Sequence, residues 1–189
     1  MISLLILFLE ETRSIRTSLK IKIILAITLS WFGDVLLMLD LNPNFFILGL
    51  ASFLIAHIAY IAANVSHGDV DSDKSILVKW MVWITASVYG LAMIWTLWPG
   101  LGDLMIPVII YTVVILAMIL TAFSRKVYYI SWIYVLIGAV LFVISDSILA
   151  YNKFVSELVL GRLLVMSTYI LAQYLLIRGY WEQLNVHNR

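Results

Sequence analysis

The 189-residue chain has no cysteine, only three prolines, and charge on just 12% of its residues. Without cysteine there is no disulfide framework, no thiolate zinc site and no cysteine nucleophile. The shortage of charge says more, because a soluble domain carries roughly twice that fraction. The net charge of +1 argues against a nucleic-acid partner. Histidine is scarce too: His67 and His187 fall in polar stretches, which leaves His57 alone in an apolar run. A site built on several histidines is therefore excluded, and a zinc hydrolase would have to use carboxylates and one imidazole. Serines near His57 and Asp34 lack the G-x-S-x-G elbow of a serine hydrolase. The cluster Asp69, Asp71, Asp73 lacks the glycine and terminal glutamate of a calcium loop and reads as a solvated turn. No metal or organic cofactor is called for.

What the chain does have is apolar length. Hydrophobic residues make up 63% of it, and the mean hydropathy is +1.04. They come in successive runs of about twenty, enough to cross roughly 30 Å of hydrocarbon at about 1.5 Å per residue. Backbone groups in lipid must be satisfied within their own segment, so these runs are helices. The expectation is an all-α polytopic bundle forming one transmembrane domain over residues 1–189. Its spans number about seven: a short one over 1–9, then 19–39, 45–65, 76–98, 104–123, 128–150 and 158–177. Asn42-Pro43-Asn44, Pro99-Gly100 and the stretch 66–75 supply the breaks, and Pro107 sits in a first helical turn. Glu10 and Glu11 follow the first apolar stretch with no small-residue cleavage site, so no cleavable signal peptide is read.

Charge orients the bundle. Arg13, Arg16, Lys20, Lys22, Lys74, Lys79, Arg125, Lys126, Arg178 and Arg189 share one side, ten of the twelve basic residues; Lys153 and Arg162 lie on the other. The positive-inside rule makes the first side, with the C-terminus, cytoplasmic, as in a protein of the cell membrane. A possible parallel repeat is also visible. A shift of 112 residues lays Asp34 on Asp146, Leu37 on Leu149, Leu48 on Leu160 and Gly49 on Gly161.

The informative residues are the polar ones inside spans. Nine of the eleven acids lie in loops or at span edges; Asp34 and Asp146 do not. Both stand roughly 9 Å below the outer end of their helices. An acid at mid-membrane costs about 2.5–3.5 kcal/mol on insertion scales, and such acids face the bundle interior. The plain alternative is that each bonds a neighbouring helix or pairs with Arg162. Ser30 lies one turn before Asp34. Gly49, Ser52, Phe53, Ala56, His57, Tyr60 and Asn64 form one stripe; Gly161, Thr168, Tyr169, Ala172 and Gln173 form another. The glycines in them suit close helix packing. Most tyrosines and tryptophans belong to the interfacial belt, but Tyr60 and Tyr169 lie deep.

At these positions the chain resembles the YhhN-like lysoplasmalogenase family of membrane proteins. The matching strings are Ser30-Trp-Phe-Gly-Asp34-Val-Leu-Leu, the stretch Phe46 to Tyr60 containing His57, Gly138 to Ala150 containing Asp146, and Tyr169-Ile-Leu-Ala-Gln173-Tyr-Leu-Leu-Ile. Against the family's usual eight spans, the first is absent here and the second is cut short, together with its Lys-Pro pair. The resemblance implies a membrane hydrolase that cleaves the vinyl ether of a lysoplasmalogen to a fatty aldehyde and a glycerophospho-amine alcohol.

The residues fit that chemistry on separate grounds. Cleaving a vinyl ether needs a proton donor for its β-carbon and an anion facing the resulting cation. Apolar surroundings favour a neutral carboxyl group, and a second carboxylate nearby does so again. Asp34 and Asp146 are thus the candidate acid/base pair, with Ser30, His57, Tyr60, Tyr169 and Gln173 as the pocket and Arg162 or Lys153 at the phosphate. The partners expected are a lysophospholipid entering from the bilayer and the membrane lipids; oligomeric state is not readable. Two other classes use the same residues: a proton-coupled transporter, and a lipid-binding protein without catalysis.

Overall fold

The computed structural model describes residues 1–15, 17–39, 43–66 and 75–186. His67, the Asp69–Asp73 turn and His187 lie outside them, as do Arg16, Lys74 and Arg189. Among the described residues the protein is all-helical, with no strand. A short α1 (Ile2–Glu11) precedes six long helices: α2 (Ser18–Leu39), α3 (Pro43–Val65), α4 (Ile76–Leu101), α5 (Met105–Phe123), α6 (Tyr129–Phe154) and α7 (Gly161–Val186). At 10 residues, α1 reaches only about 15 Å, half a hydrocarbon core. The long helices have the length and hydropathy to cross one, with α4 and α5 forming a single 48-residue apolar stretch that folds back on itself.

Contacts set the order of the bundle. Helix α2 pairs with α3 and α6 with α7; α5 bridges α3 and α6, and α7 meets α2 and α1, which closes a ring. Helix α4 stays outside that ring, against α5 and α6 only. Close approach within the pairs depends on missing side chains. A Cβ at Gly33 would stand 2.6 Å from the Phe53 ring; one at Gly138 would stand 3.0 Å from the Ala172 carbonyl oxygen on α7. Outside, the bundle is apolar: Trp95, Leu91 and Val159 are among its most exposed residues. A surface of that kind belongs in lipid rather than water. The chain is an integral membrane protein.

Four boundaries differ from expectation by three residues or more. Helix α4 does not stop at Pro99-Gly100 but runs to Leu101, and the chain turns at Gly102, whose φ is +47°. Proline removes one hydrogen bond, whereas the reversal needs a left-handed residue. Gly100 has another use: a Cβ there would run into the backbone of Phe154. Helix α6 continues to Phe154 rather than residue 150. Helix α7 begins at Gly161, not 158, and continues past residue 177 to Val186, carried there by an i,i+4 ion pair between Arg178 and Glu182 at 2.9 Å.

Candidate active site

The polar stripe on α3 faces inward as its spacing requires: Gly49, Ser52, Phe53, Ala56, His57, Tyr60 and Asn64 are all buried. On α7, Gly161, Tyr169, Ala172 and Gln173 are buried likewise. These faces meet those of α2 and α6 around a cavity of about 550 Å³ near one end of the bundle. Asp34 from α2 and Asp146 from α6 both line it. So the two intramembrane acids open on one chamber.

Each carboxylate is held by a tyrosine. Tyr169 Oη donates to Asp34 Oδ2 at 3.0 Å, and Tyr111 Oη, from α5, donates to Asp146 Oδ2. His57 Nε2 stands 3.9 Å from Asp146 Oδ2, beyond hydrogen-bond reach. The partners cross over: Asp34 on the α2–α3 pair takes its neighbour from α7, and Asp146 on the α6–α7 pair faces His57 from α3. His57 and Tyr169 are 112 residues apart, the separation of the two aspartates. Among the described residues no lysine or arginine pairs with either acid.

Below the aspartates, aromatic rings seal the floor. Phe53, Phe142 and Tyr169 meet edge to face with centroids 5.4–6.3 Å apart, and His57 adds its edge to Phe142 at 4.6 Å. At the mouth the cavity is ionic, with Lys153, Glu157 and Arg162 on its wall. Asn152 fixes the α6–α7 connection there, its Oδ1 accepting from the Leu158 N–H at 2.9 Å. Asp146 retains 15% side-chain exposure while His57 has 1%, so the acid is reachable from the cavity and the imidazole is not. Among the described residues no three His, Cys, Asp or Glu cluster as metal ligands would.

Of the residues singled out from sequence, Asp34, Phe53, Asp146, Lys153, Arg162 and Tyr169 line the cavity. His57 sits under it as part of the floor. Ser30, Tyr60 and Gln173 are fully buried and are not on its wall. Tyr60 Oη donates to Gln173 Oε1 at 2.7 Å, and the Tyr60 ring stacks on Tyr180. This pair belongs to a closed network farther along the bundle. Helical spacing fixed the face on which these residues lie but not their depth. Tyr111 and Glu157 were not anticipated. Tyr111 carried a usable signal, since it lies as far inside its span as Tyr60 and Tyr169 do in theirs.

No solved structure matches the chain. It is 30% identical to the lysoplasmalogenase of Mycobacterium bovis over 82% of its own length and 59% of that protein's. It is 32% identical to the pig protein named lysoplasmalogenase TMEM86B, over 71% of this chain and 53% of the relative, and 32% identical to the mouse one, over 80% and 60%. The chain thus spans between about half and three fifths of the length of these relatives. The sequence pattern of the YhhN family matches residues 1–180, a stretch that takes in every side chain of the cavity described above, and the chain belongs to that family.

Proposed function

We propose that the protein is a membrane hydrolase that cleaves the vinyl ether bond of a lysoplasmalogen, with Asp34 and Asp146 as its acid/base pair. The observation that carries this reading is the single cavity onto which both carboxyls open. The names of the relatives point the same way. So does the mouth: two cations, Lys153 and Arg162, beside one carboxylate, Glu157. That charge pattern suits a glycerophospho-amine head, with the phosphate on the guanidinium and ammonium and the amine on the carboxylate.

The chemistry needs one carboxyl protonated and one ionised. Asp146, held by Tyr111 at the end of the cavity nearest apolar walls, gives its proton to the β-carbon of the vinyl ether. Positive charge then spreads over the α-carbon and the ether oxygen. Asp34, oriented by the Tyr169 hydroxyl, faces that charge as a carboxylate and takes a proton from the water that adds to the α-carbon. The product is a hemiacetal. Asp34 returns its proton to the ether oxygen as the carbon–oxygen bond breaks, and the hemiacetal hydroxyl proton restores Asp146. One water is consumed, and a fatty aldehyde and a glycerophospho-amine alcohol leave. We further propose, on the distribution of basic residues, that the C-terminus lies on the cytoplasmic side of the cell membrane, with the cavity in the outer leaflet.

The test is aldehyde release from a lysoplasmalogen by purified protein, compared with Asp34→Asn and Asp146→Asn. Each variant is expected to lose about 10²–10⁴-fold in rate. A folded variant that works at the wild-type rate removes its residue from the mechanism.

A further inference from the structure

Beyond the reaction cavity lie a narrow pocket and a trough, and shared walls join the three; an open groove along the start of α7 also shares Leu158, Arg162 and Met166 with the mouth. Leu37, Phe53, Asp146 and Leu149 line both the reaction cavity and a narrow pocket of about 70 Å³ between α3, α4, α5 and α6. Thr112 and Leu116 line both that pocket and a trough of about 670 Å³ between α4 and α5. Leu91, Ile94, Val113 and Leu120 make most of the trough apolar. The route is ionic at the mouth, acidic at Asp146 and mostly apolar thereafter, with Asn64, Thr121, Ser124 and Arg125 also on the trough wall.

Its length is that of one lipid chain. Between Tyr111 and Ser124, α5 advances about 20 Å, somewhat more than the roughly 15 Å of one leaflet's hydrocarbon. The joint between pocket and trough is the Leu116 side chain, which lies in the hollow left by Gly90: a Cβ at Gly90 would stand 2.5 Å from Leu116 Cδ1. On another side of the chamber the rings of Phe53, Phe142 and Tyr169 pack edge to face. A vinyl ether joins head to chain, so a substrate reacting at the aspartates with its head at the mouth must send its chain onward past Asp146.

We infer that the aliphatic chain of the single-chain lipid substrate runs past Asp146 through the narrow pocket and lies in the α4–α5 trough, where Thr112 and Leu116 determine which chain lengths are accepted. The inference rests on the hydrolase reading for the identity of the occupant. Thr112 and Leu116 are specificity residues, because they touch the chain and not the reacting bond.

The first experiment needs no turnover. A single-chain glycerophosphoethanolamine lipid with a diazirine at its chain end is bound to the unmodified protein in nanodiscs, irradiated, and the adducts are mapped. Adducts are expected within residues 83–94 and 113–124, and excess unlabelled lysolipid removes them. Adducts spread over the lipid-facing surface, or unmoved by the competitor, overturn the proposal. The second experiment compares kcat/KM for long-chain and short-chain alkenyl lysolipids in wild type and Leu116→Trp. The long-to-short ratio is expected to fall about 10- to 100-fold, the discrimination a few methylene contacts provide; an unchanged ratio overturns the proposal. If wild type releases no aldehyde at all, the hydrolase reading falls, and the cross-linking map still decides where the chain lies.

Discussion

Two regions of the same bundle put polar side chains to opposite uses. Around Asp34 and Asp146 the polar groups border open space, and each acid has one short-range partner and a free flank. Farther along α3 and α7 the polar groups close on one another. Tyr60 donates to Gln173 at 2.7 Å, Tyr180 donates to Asn64 Oδ1 at 2.7 Å, and Asn64 Nδ2 donates to Thr121 Oγ1 at 3.2 Å. Arg125 completes this layer, its guanidinium 4.8 Å over the Tyr180 ring and bonded to Gln183. Tyr60, Gln173 and Tyr180 border none of the cavities described above, and Asn64, Thr121 and Arg125 reach the wall of the α4–α5 trough with polar atoms already engaged in this layer. A polar residue inside a membrane helix is therefore not in itself a mark of chemistry; the mark is a pair of acids that share one vacancy.

That contrast has consequences that differ in size and in kind. The largest is expected at the acids, where the Asn variants already described should lose about 10²–10⁴-fold in rate while melting like wild type. Wild-type rate should also pass through a maximum with pH, because the pair works with one proton between its two carboxyls. A flat profile across the carboxylate and neutral range breaks the comparison on the chamber side. Next comes Tyr111→Phe. Removing one hydrogen bond to a charged group is worth about 1.5–3 kcal/mol, so kcat should fall about 10- to 100-fold with KM little changed.

On the closed side the effect moves from rate to stability. Tyr180→Phe leaves the buried Asn64 oxygen without its donor, at a cost of about 1–3 kcal/mol. The variant should melt earlier in detergent, while the folded fraction turns over substrate as wild type does. A rate loss larger than the loss of folded protein would mean that the two regions are not separate. The smallest effect belongs to the mouth: Arg162 is exposed, and Arg162→Gln should raise KM only a few-fold at unchanged kcat, more at low salt than at high.

The division between these regions also marks how far the sequence could be read. Apolar runs located all six long helices, because lipid leaves the backbone no other choice. Their ends were less legible. Pro99 looked like a stop, but the turn needed the positive φ of Gly102; charged Arg178 and Glu182 looked like an exit from the helix and instead prolong it as a pair. The candidate site shows the same limit. Asp34 and Asp146 stood out because an acid in hydrocarbon has few explanations, and Tyr169 followed from its stripe. Gln173 shares that stripe and Tyr60 the one on α3, yet both lie below the floor, because periodicity gives direction around a helix and says nothing about which level holds empty space. Tyr111 stood out less for the opposite reason: α5 is apolar almost throughout, so no polar stripe drew attention to the hydroxyl next to Asp146.

The crossed partnerships around the two acids bear on assembly. Neither the α2–α3 hairpin nor the α6–α7 hairpin holds an acid together with its opposing side chain; each carries one half of two interlocked couples. Hairpins inserted into the bilayer one after another would thus be inert on their own, and reactivity would come into being only when they meet across α5. A newly made chain would carry its proton donor through the membrane in unarmed form.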